Sequence, residues 1–312
     1  MEKILFLDTT HPILPEQLTR DGYGCDYHTT ISRKDCKEVI GQYSGIIIRG
    51  RIRLDKEMLE RAGRLRFIGR AGAGMEGIDT AFAESRGIHC LNAPEGNRDA
   101  LAEHSCGMLL CLLNHLIRAD REIRLGLWKR ETNRGVELKG KTLAIIGYGN
   151  MGSAFASRLR GFDMEILAYD KYKQGFGDAC VKETNMEEIF ARADFLSLNV
   201  PLTEETAYLV DARYLENFKK NIILINTSRG KVVDTAALAA GLQSGKVLGA
   251  ALDVIEYEGL SFENLDETLL PDAFRTLCQS DKIILSPHIA GWTLESHRKL
   301  ALVLLEKIRQ LK

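Results

Sequence analysis

Short apolar runs rich in β-branched residues alternate with segments of helical length along almost all of the 312 residues. Apolar residues occupy consecutive positions in Ile4–Leu7, in Gly45–Ile48 and in the first four residues of Ile222–Asn226, which is typical of strands buried on both faces. The same pattern predicts strands at Leu65–Ile68, Ile88–Leu91, Thr142–Ile146, Glu165–Tyr169, Phe195–Leu198, Gly249–Asp253 and Lys282–Leu285. Such alternation predicts an α/β fold of doubly wound parallel sheets, and a chain of this length is expected to form about two domains.

Composition excludes several classes of function. The 42 Lys and Arg residues balance 43 Asp and Glu residues, so no overall basic field favours nucleic acid or an anionic membrane. No apolar stretch approaches the roughly 18 residues of a membrane span, and the N-terminal apolar run is too short for a signal sequence. The seven cysteines are odd in number and contain no C-x-x-C pair, which favours reduced thiols and a cytoplasmic location.

Two long helices are expected beside the domain boundaries. Ala100–Leu116 is apolar at almost every position and predicts a helix that must be covered on all sides. Leu294–Leu311 is amphipathic and predicts a C-terminal helix. We expect a discontinuous first domain, 1–97 plus 288–312, and a second domain, 98–287.

A glycine-rich loop predicts a dinucleotide site. Gly147-Tyr148-Gly149-Asn150-Met151-Gly152 is a G-x-G-x-x-G between a predicted strand and a predicted helix. In this context the glycines allow a tight turn, close approach of a pyrophosphate and helix–strand packing. Asp170 ends the next predicted strand, where its carboxylate would bind the ribose hydroxyls and repel a 2′-phosphate. The sequence therefore favours NAD over NADP, although Lys171 and Lys173 weaken that preference.

A second G-x-G-x-x-G runs from Gly72 to Gly77, also after a predicted strand. The strand that follows it ends at Leu91-Asn92, with no acid to bind a ribose. Two interpretations remain open: a loop of exposed N–H groups suited to a small carboxylate, or an ordinary tight turn.

Three polar residues lie just beyond predicted strands in the second domain: Arg229, Glu258 and His288. Ligands bind beyond the carboxyl ends of strands in parallel sheets, so the three side chains are expected to share one crevice. Arginine binds carboxylate and carbonyl oxygens, and a histidine beside an acid exchanges a proton with an alkoxide. This set of residues suits hydride transfer to a 2-keto acid.

Several motifs together resemble the D-isomer-specific 2-hydroxyacid dehydrogenases. They are Asn92–Asn97, Ala102–His104, Gly140–Leu143, Gly147–Gly152, Pro201–Thr203, Asn226–Gly230, Ala251–Val254 and Ser286–Gly291. The resemblance implies a Rossmann NAD-binding domain inserted in a flavodoxin-like substrate domain, the two closing over the substrate about crossing segments. It also implies NAD as the cofactor and no metal.

The resemblance assigns residues to roles. It implies that Arg229, Glu258 and His288 are catalytic, that Ala73 and Gly74 bind the substrate carboxylate, and that Asp253 contacts the nicotinamide amide. The implied cofactor-binding residues are Gly147, Gly149, Asn150, Met151, Gly152, Asp170, Val200, Pro201, Thr206, Thr227, Ser228 and Asp253.

The chain departs from the family pattern near the expected site. Gly259 follows Glu258 where the family usually has proline, and Glu256 is a competing choice for the catalytic acid. The spacing to His288 is longer than usual, which suggests a short helical insertion around Phe262–Leu277. Two further unusual residues are Asn199 and Trp292.

Within the family, Arg49-Gly50-Arg51 looks like the paired arginines of bacterial 3-phosphoglycerate dehydrogenases, enzymes of serine biosynthesis. Guanidinium groups at positions i and i+2 of a strand end point the same way and could hold a phosphate. A solvated strand end is the alternative. Because the chain ends at Lys312, no regulatory C-terminal domain is expected. Glyoxylate or hydroxypyruvate reductase, and a dinucleotide-sensing corepressor-like binding protein, remain alternative functions.

The region Ala100–Arg134 corresponds to the family's dimerisation arm, so the resemblance implies a homodimer. Trp128 and Arg130 would lie at the far end of this arm, where they could reach the partner's substrate.

Overall fold

The chain divides into two compact units. The computed structural model describes residues 1–258 and 270–311. Unit 1 comprises Met1–Arg98 with the segment from Trp292 onward, and unit 2 is Asp99–Gly291. The second boundary thus falls four residues later than the sequence suggested.

Unit 1 is built on a parallel sheet of five strands in the order β2-β1-β3-β4-β5. The strands are β1 (Lys3–Phe6), β2 (Gly24–Tyr27), β3 (Gly45–Ile48), β4 (Phe67–Arg70) and β5 (His89–Leu91). The helices of this unit are α1 (Ile13–Arg20), α2 (Arg33–Val39), α3 (Lys56–Leu59), α4 (Thr80–Ser85) and α12 (Leu294–Arg309). This strand order is that of flavodoxin-like sheets.

Side chains of β1 alternate between the two faces of that sheet. Ile4 and Phe6 belong to a core shared with Leu304 and Ile308 of α12, whereas Leu5 belongs to a separate core on the other face. Each of these side chains is fully buried. The expectation of strands buried on both faces is therefore confirmed, and the C-terminal helix is an integral part of unit 1.

Unit 2 contains a parallel sheet of seven strands in the order β12-β11-β10-β9-β6-β7-β8. The strands are β6 (Thr142–Ile146), β7 (Glu165–Tyr169), β8 (Val181–Glu183), β9 (Phe195–Leu198), β10 (Ile222–Asn226), β11 (Val247–Leu252) and β12 (Ile283–Leu285). Beyond α5 (Pro94–Leu113), which begins in unit 1, the helices are α6 (Leu116–Arg124), α7 (Asn150–Leu159), α8 (Met186–Arg192), α9 (Ala212–Glu216), α10 (Thr235–Ser244) and α11 (Asp272–Cys278). Strand β6 pairs with both β7 and β9, so the strand order reverses at β6, where ligands bind in sheets of this kind.

The long helix expected at Ala100–Leu116 is divided in two. α5 ends at Leu113, and His115 adopts a left-handed backbone with φ +52° before α6 begins. Leu109 and Leu113 are buried, whereas Leu116 on α6 is 52% exposed. Within the described residues no single helix could cross a membrane; α5 and α6 would suffice only as a pair, which bends by 59° between them.

The predicted insertion at 262–277 lies partly outside the described residues, and α11 covers its last part. All seven cysteines are unpaired. Burial raises the pKa of Cys90 and of Cys106 to about 11, so these two remain thiols at neutral pH.

Candidate functional site

The glycine loop after β6 combines two glycines required by the protein with one that faces open space. Gly147 has φ +90°, and a Cβ there would lie 2.6 Å from the carbonyl oxygen of Asn199. A Cβ on Gly152 would overlap the Gly147 carbonyl oxygen. In contrast, a Cβ on Gly149 would meet nothing within 4 Å. The loop therefore packs tightly against its own sheet and leaves Gly149 open to a pyrophosphate, as the cofactor requires.

Helix α7 begins at this loop and offers hydrogen-bond donors. Gly149 is its N-cap and provides no side-chain cap, and no acidic residue lies in its first turn. The first N–H groups of a helix have no partner inside the helix and lie at the positive end of its dipole. The amides around Asn150 and Met151 are therefore suited to phosphate oxygens.

Asp170 is fixed beside the loop, directly after β7. One carboxylate oxygen accepts the Tyr148 N–H at 2.8 Å, and the other accepts the N–H groups of Tyr172 and Lys173 at 3.0 and 3.1 Å. These bonds orient the carboxylate at the point where the sequence predicted a ribose contact.

The two lysines that weakened the preference for NAD both have partners in the protein. Lys171 forms an ion pair with Glu205, and the ammonium of Lys173 donates to the carbonyl of Tyr148 at 3.3 Å. Both groups are held by neighbouring residues, which lowers their availability to a 2′-phosphate.

Apart from Asp253, the remaining predicted cofactor residues follow β9, which is the neighbour of β6 in the sheet, and β10, the next strand beyond β9. Thr206 donates its hydroxyl to the Pro201 carbonyl at 2.6 Å, which closes the turn that begins at Val200. The buried Thr227 and Ser228 follow β10, where the Ser228 hydroxyl donates to the Asn226 side chain at 2.8 Å. All of these residues lie at the same sheet edge as the glycine loop.

The strands that precede the three catalytic candidates are neighbours in register. Asn226 pairs with Leu252 at the end of β10 and β11, and Leu252 pairs with Leu285 at the end of β12. Arg229 follows the first of these strand ends, and His288 follows the last. The expectation that strand topology gathers these residues at one edge agrees with this register.

His288 and Glu258 are in direct contact. The distance between Nδ1 of His288 and Oε2 of Glu258 is 2.9 Å, and their side chains are 28% and 22% exposed. His288 has a left-handed backbone, φ +56°, and its N–H donates to the Asp253 carbonyl at 2.7 Å. An imidazole held by a carboxylate in a half-buried position is suited to proton transfer.

The competing acid, Glu256, has different partners. Its carboxylate accepts the Tyr208 hydroxyl at 3.0 Å and the N–H of Thr235 at 3.2 Å. It therefore binds the first turn of α10, whereas Glu258 binds the imidazole.

Arg229 lies on a loop that touches the segment carrying Glu258. Its guanidinium donates to the Ser228 carbonyl at 2.6 Å. A Cβ on the next residue, Gly230, would overlap the Ile255 carbonyl oxygen. The loop after β10 is thus in close contact with the backbone of the segment after β11 that leads to Glu258.

Asp253 fixes the His288 loop, a function that the sequence did not suggest. This carboxylate is 1% exposed. It accepts the Ser286 hydroxyl at 2.6 Å and the N–H groups of Ile289 and Ala290 at 2.9 and 2.8 Å. The predicted contact of Asp253 with the nicotinamide amide stays a prediction.

In unit 1, the second glycine loop presents backbone donors. The Asn92 side chain donates to the Ala73 carbonyl at 2.7 Å and so orients the loop. Among residues 1–258 and 270–311, the N–H groups of Ala73 and Gly74 donate to no acceptor. This geometry fits the carboxylate-binding interpretation better than that of an ordinary turn.

The arginines at 49 and 51 do not form the expected pair. Arg51 donates to the carbonyls of Leu7, His28 and Ile31 at 2.7 to 3.2 Å. Arg49 instead stacks on Trp292, with its guanidinium carbon 4.0 Å from the ring centroid. The chain bends after β3, so i, i+2 spacing does not keep the two side chains together.

Trp128 lies beyond α6 and is 80% exposed, and Arg130 is also exposed. In the part of the chain that the structure describes, no three His, Cys, Asp or Glu side chains are placed to hold a metal ion.

Residues 106–290 match the family described as D-isomer specific 2-hydroxyacid dehydrogenase, NAD binding domain. The chain is 33% identical over 308 residues to D-3-phosphoglycerate dehydrogenase of Archaeoglobus fulgidus. The aligned region covers 98% of this chain, so the chain spans little more than half, 56%, of the length of that protein. It is 34% identical over 278 residues to hydroxypyruvate reductase of Thermotoga maritima, covering 89% of this chain and 88% of that one. The solved structure of D-lactate dehydrogenase from Aquifex aeolicus, complexed with NAD and lactic acid, is similar with a TM-score of 0.84 at 26% identity, covering 99% and 95% of the two chains. The chain belongs to the D-isomer specific 2-hydroxyacid dehydrogenases and contains their NAD-binding domain.

Proposed function

We propose that this chain is an NAD-dependent oxidoreductase that transfers hydride between nicotinamide and a D-2-hydroxy acid, with 3-phosphoglycerate and 3-phosphohydroxypyruvate as its substrate pair. The observation that carries the proposal is the 2.9 Å contact between Glu258 and His288. It lies at the sheet edge that also carries the glycine loop. Such a pair favours an enzyme over a dinucleotide-binding protein without catalysis.

In the oxidation direction, NAD⁺ held by the glycine loop and Asp170 would supply the acceptor for the hydride on the substrate C2. His288 accepts the hydroxyl proton as the C–O bond becomes a carbonyl. Because Glu258 engages Nδ1, this proton transfer is assigned to Nε2, and the carboxylate stabilises the imidazolium that forms. Arg229 binds oxygens of the substrate, and the amides of Ala73 and Gly74 bind its carboxylate.

The choice of 3-phosphoglycerate is supported by the 33% identity to the Archaeoglobus enzyme over nearly the whole of this chain. The desolvated guanidinium of Arg49 also supports it, because such a group favours an anionic ligand. The test is the initial rate of NADH formation with 3-phosphoglycerate, glycerate and D-lactate. We expect the highest kcat/KM for 3-phosphoglycerate, and equal or higher values for glycerate would contradict this substrate.

A second candidate is reduction of hydroxypyruvate or glyoxylate. The engagement of Arg51 with three carbonyls favours it, since a phosphate clamp of two arginines is not assembled. The similarity to the Thermotoga hydroxypyruvate reductase also favours it. NADH oxidation by both keto acids is measured in the same panel. Binding of NADH without turnover of any of these acids would instead favour the corepressor-like alternative.

We further propose that the chain is a cytoplasmic homodimer. Its seven unpaired cysteines suit a reducing compartment. Large apolar side chains are exposed along α6 and the segment after it: Leu116, Ile117, Ile123, Leu125, Leu127, Trp128 and Val136. A concentration of this kind is typical of an interface, and a second copy is the partner that the family suggests. Trp128 and Arg130 would then reach the partner's substrate.

A further inference from the structure

A small cleft in unit 1 brings together basic side chains from three separate segments. His11 follows β1, Arg49 follows β3 and His297 lies on α12; all three line the cleft, together with Trp292. His11 and His297 meet edge to face, with ring centroids 5.4 Å apart. None of these side chains forms an ion pair with an acid in the described residues.

Arg49 is held in position without an acceptor for its guanidinium. The group lies over the Trp292 ring at 4.0 Å, and no described residue accepts a hydrogen bond from it. Burial lowers the pKa of Arg49, and the charge of Asp8 partly opposes this. The Asp8 carboxylate itself is engaged by the backbone N–H groups of Arg49 and Gly50, at 2.6 and 3.1 Å. The guanidinium of Arg49 is therefore partly desolvated, oriented by an aromatic ring and suited to bind an oxyanion.

The two imidazoles are also placed as donors. Nδ1 of His11 accepts the N–H of Ile13 at 3.2 Å, which places the proton of the neutral ring on Nε2. Burial lowers the pKa of His297, and the positive charges of Arg49 and His11 lower it further. Binding of an anion would reverse these electrostatic effects, so the anion and the proton on His297 favour each other.

We propose that His11, Arg49 and His297 form a binding site for a phosphoryl group, with Trp292 holding the guanidinium in place. A planar carboxylate would satisfy Arg49 alone, whereas a tetrahedral oxyanion can accept hydrogen bonds from donors on three sides. The proposal deepens the proposed function and rests on it where the ligand is concerned, because the phosphoryl group would be the distal phosphate of 3-phosphoglycerate. Arg51 has no part in this site.

The site is tested first without turnover, by calorimetric titration of the full chain with sulfate. Sulfate carries two negative charges at every pH between about 6 and about 8. A change in its affinity across this range therefore reports the titration of groups of the protein. We expect tighter binding at the lower pH, where His297 gains its proton. Arg49→Gln should weaken binding about tenfold or more at both pH values, with Arg64→Gln, an exposed arginine of the same unit, as the control. Arg49→Lys, which keeps the charge and the fold but loses the planar fork, should also weaken it.

His297→Asn should reduce the pH dependence and weaken sulfate binding mainly at the lower pH; His11 is the other ionisable imidazole of the cleft. His89→Asn, at an exposed position on β5, should leave both unchanged. Equal affinity at the two pH values, or equal effects of the His297 and His89 variants, would overturn the site.

Kinetics distinguish the source of the phosphoryl group. If it belongs to the substrate, 3-phosphoglycerate competes with sulfate and His297→Asn raises the KM for 3-phosphoglycerate, while the kcat/KM for glycerate changes little. If the wild type binds sulfate as expected but oxidises no phosphorylated acid, the proposed substrate fails while the anion site stands for free phosphate. Failure to bind sulfate together with normal turnover of 3-phosphoglycerate would refute the site and leave the function intact.

Discussion

Substitutions at Gly147 and Gly149 of the glycine loop are expected to separate an effect on stability from an effect on cofactor binding. In Gly147→Ala, the new residue must adopt φ +90°, at a cost of about 1–2 kcal/mol. Its Cβ would also lie 2.6 Å from the Asn199 carbonyl oxygen, well inside van der Waals contact, which adds about 1–3 kcal/mol of overpacking. We expect a loss of about 3 kcal/mol in the free energy of unfolding. For a unit of this size that lowers Tm by roughly 6–12 °C.

Gly149→Ala is the matched variant. Gly149 has φ −89°, and a Cβ there meets nothing within 4 Å. We therefore expect this substitution at the N-cap to lower the free energy of unfolding by only about 0.5 kcal/mol. The added methyl group nevertheless occupies the space left for the pyrophosphate, and we expect NAD affinity to fall about tenfold or more.

Differential scanning calorimetry and fluorescence titration with NADH measure the two effects on the same samples. Unchanged NADH affinity in Gly149→Ala would show that the pyrophosphate does not approach this glycine. Equal Tm values for the two variants would refute the calculation for Gly147.

Four further predictions concern the proposed chemistry and assembly. His288→Asn should lower kcat by about 10²–10⁴ and leave NADH affinity within a few-fold; near-normal turnover would remove His288 from the reaction. Arg229→Ala should raise KM and lower kcat together, because the guanidinium binds ground state and transition state alike, and unchanged steady-state constants would exclude it. Asp170→Ala should lower the ratio of the kcat/KM for NAD to the kcat/KM for NADP. A wild type that already prefers NADP would contradict the role assigned to Asp170. Light scattering should give twice the 34.9 kDa chain mass, with Leu125→Glu shifting the protein toward monomer; a monomeric wild type would refute the dimer.

The central strands could be predicted from the sequence, whereas two of the four edge strands could not. Two strands were missed, β2 and β8, and each is the last strand on one side of its sheet. In β2 no residue is fully buried, and in β8 only Val181 is. Without two buried faces, neither segment has the continuous apolar run that marks the inner strands. The break at His115 was missed for the opposite reason, since apolar residues continue across it from α5 into α6.

The catalytic candidates and the glycine loop could be predicted because each follows a recognisable strand. The contacts that orient them could not. Asp253 was expected near the nicotinamide, but its bonds to Ser286, Ile289 and Ala290 depend on how the loop after β12 folds back. The cluster of His11, Arg49 and His297 joins residues nearly 290 positions apart, and its members carry no local motif.

The left-handed backbone of His288 sets the proposed catalytic role of this residue against thermal stability. A non-glycine residue in this conformation costs about 1–2 kcal/mol, and the Asp253 carbonyl and carboxylate keep it there. Glycine at position 288 would relieve this strain while deleting the imidazole, so we expect this variant to have a higher Tm and, under the proposed mechanism, a much lower kcat. A library selected for heat resistance alone is therefore expected to lose His288 early, and retention of this residue in a population of such chains would mark selection for turnover.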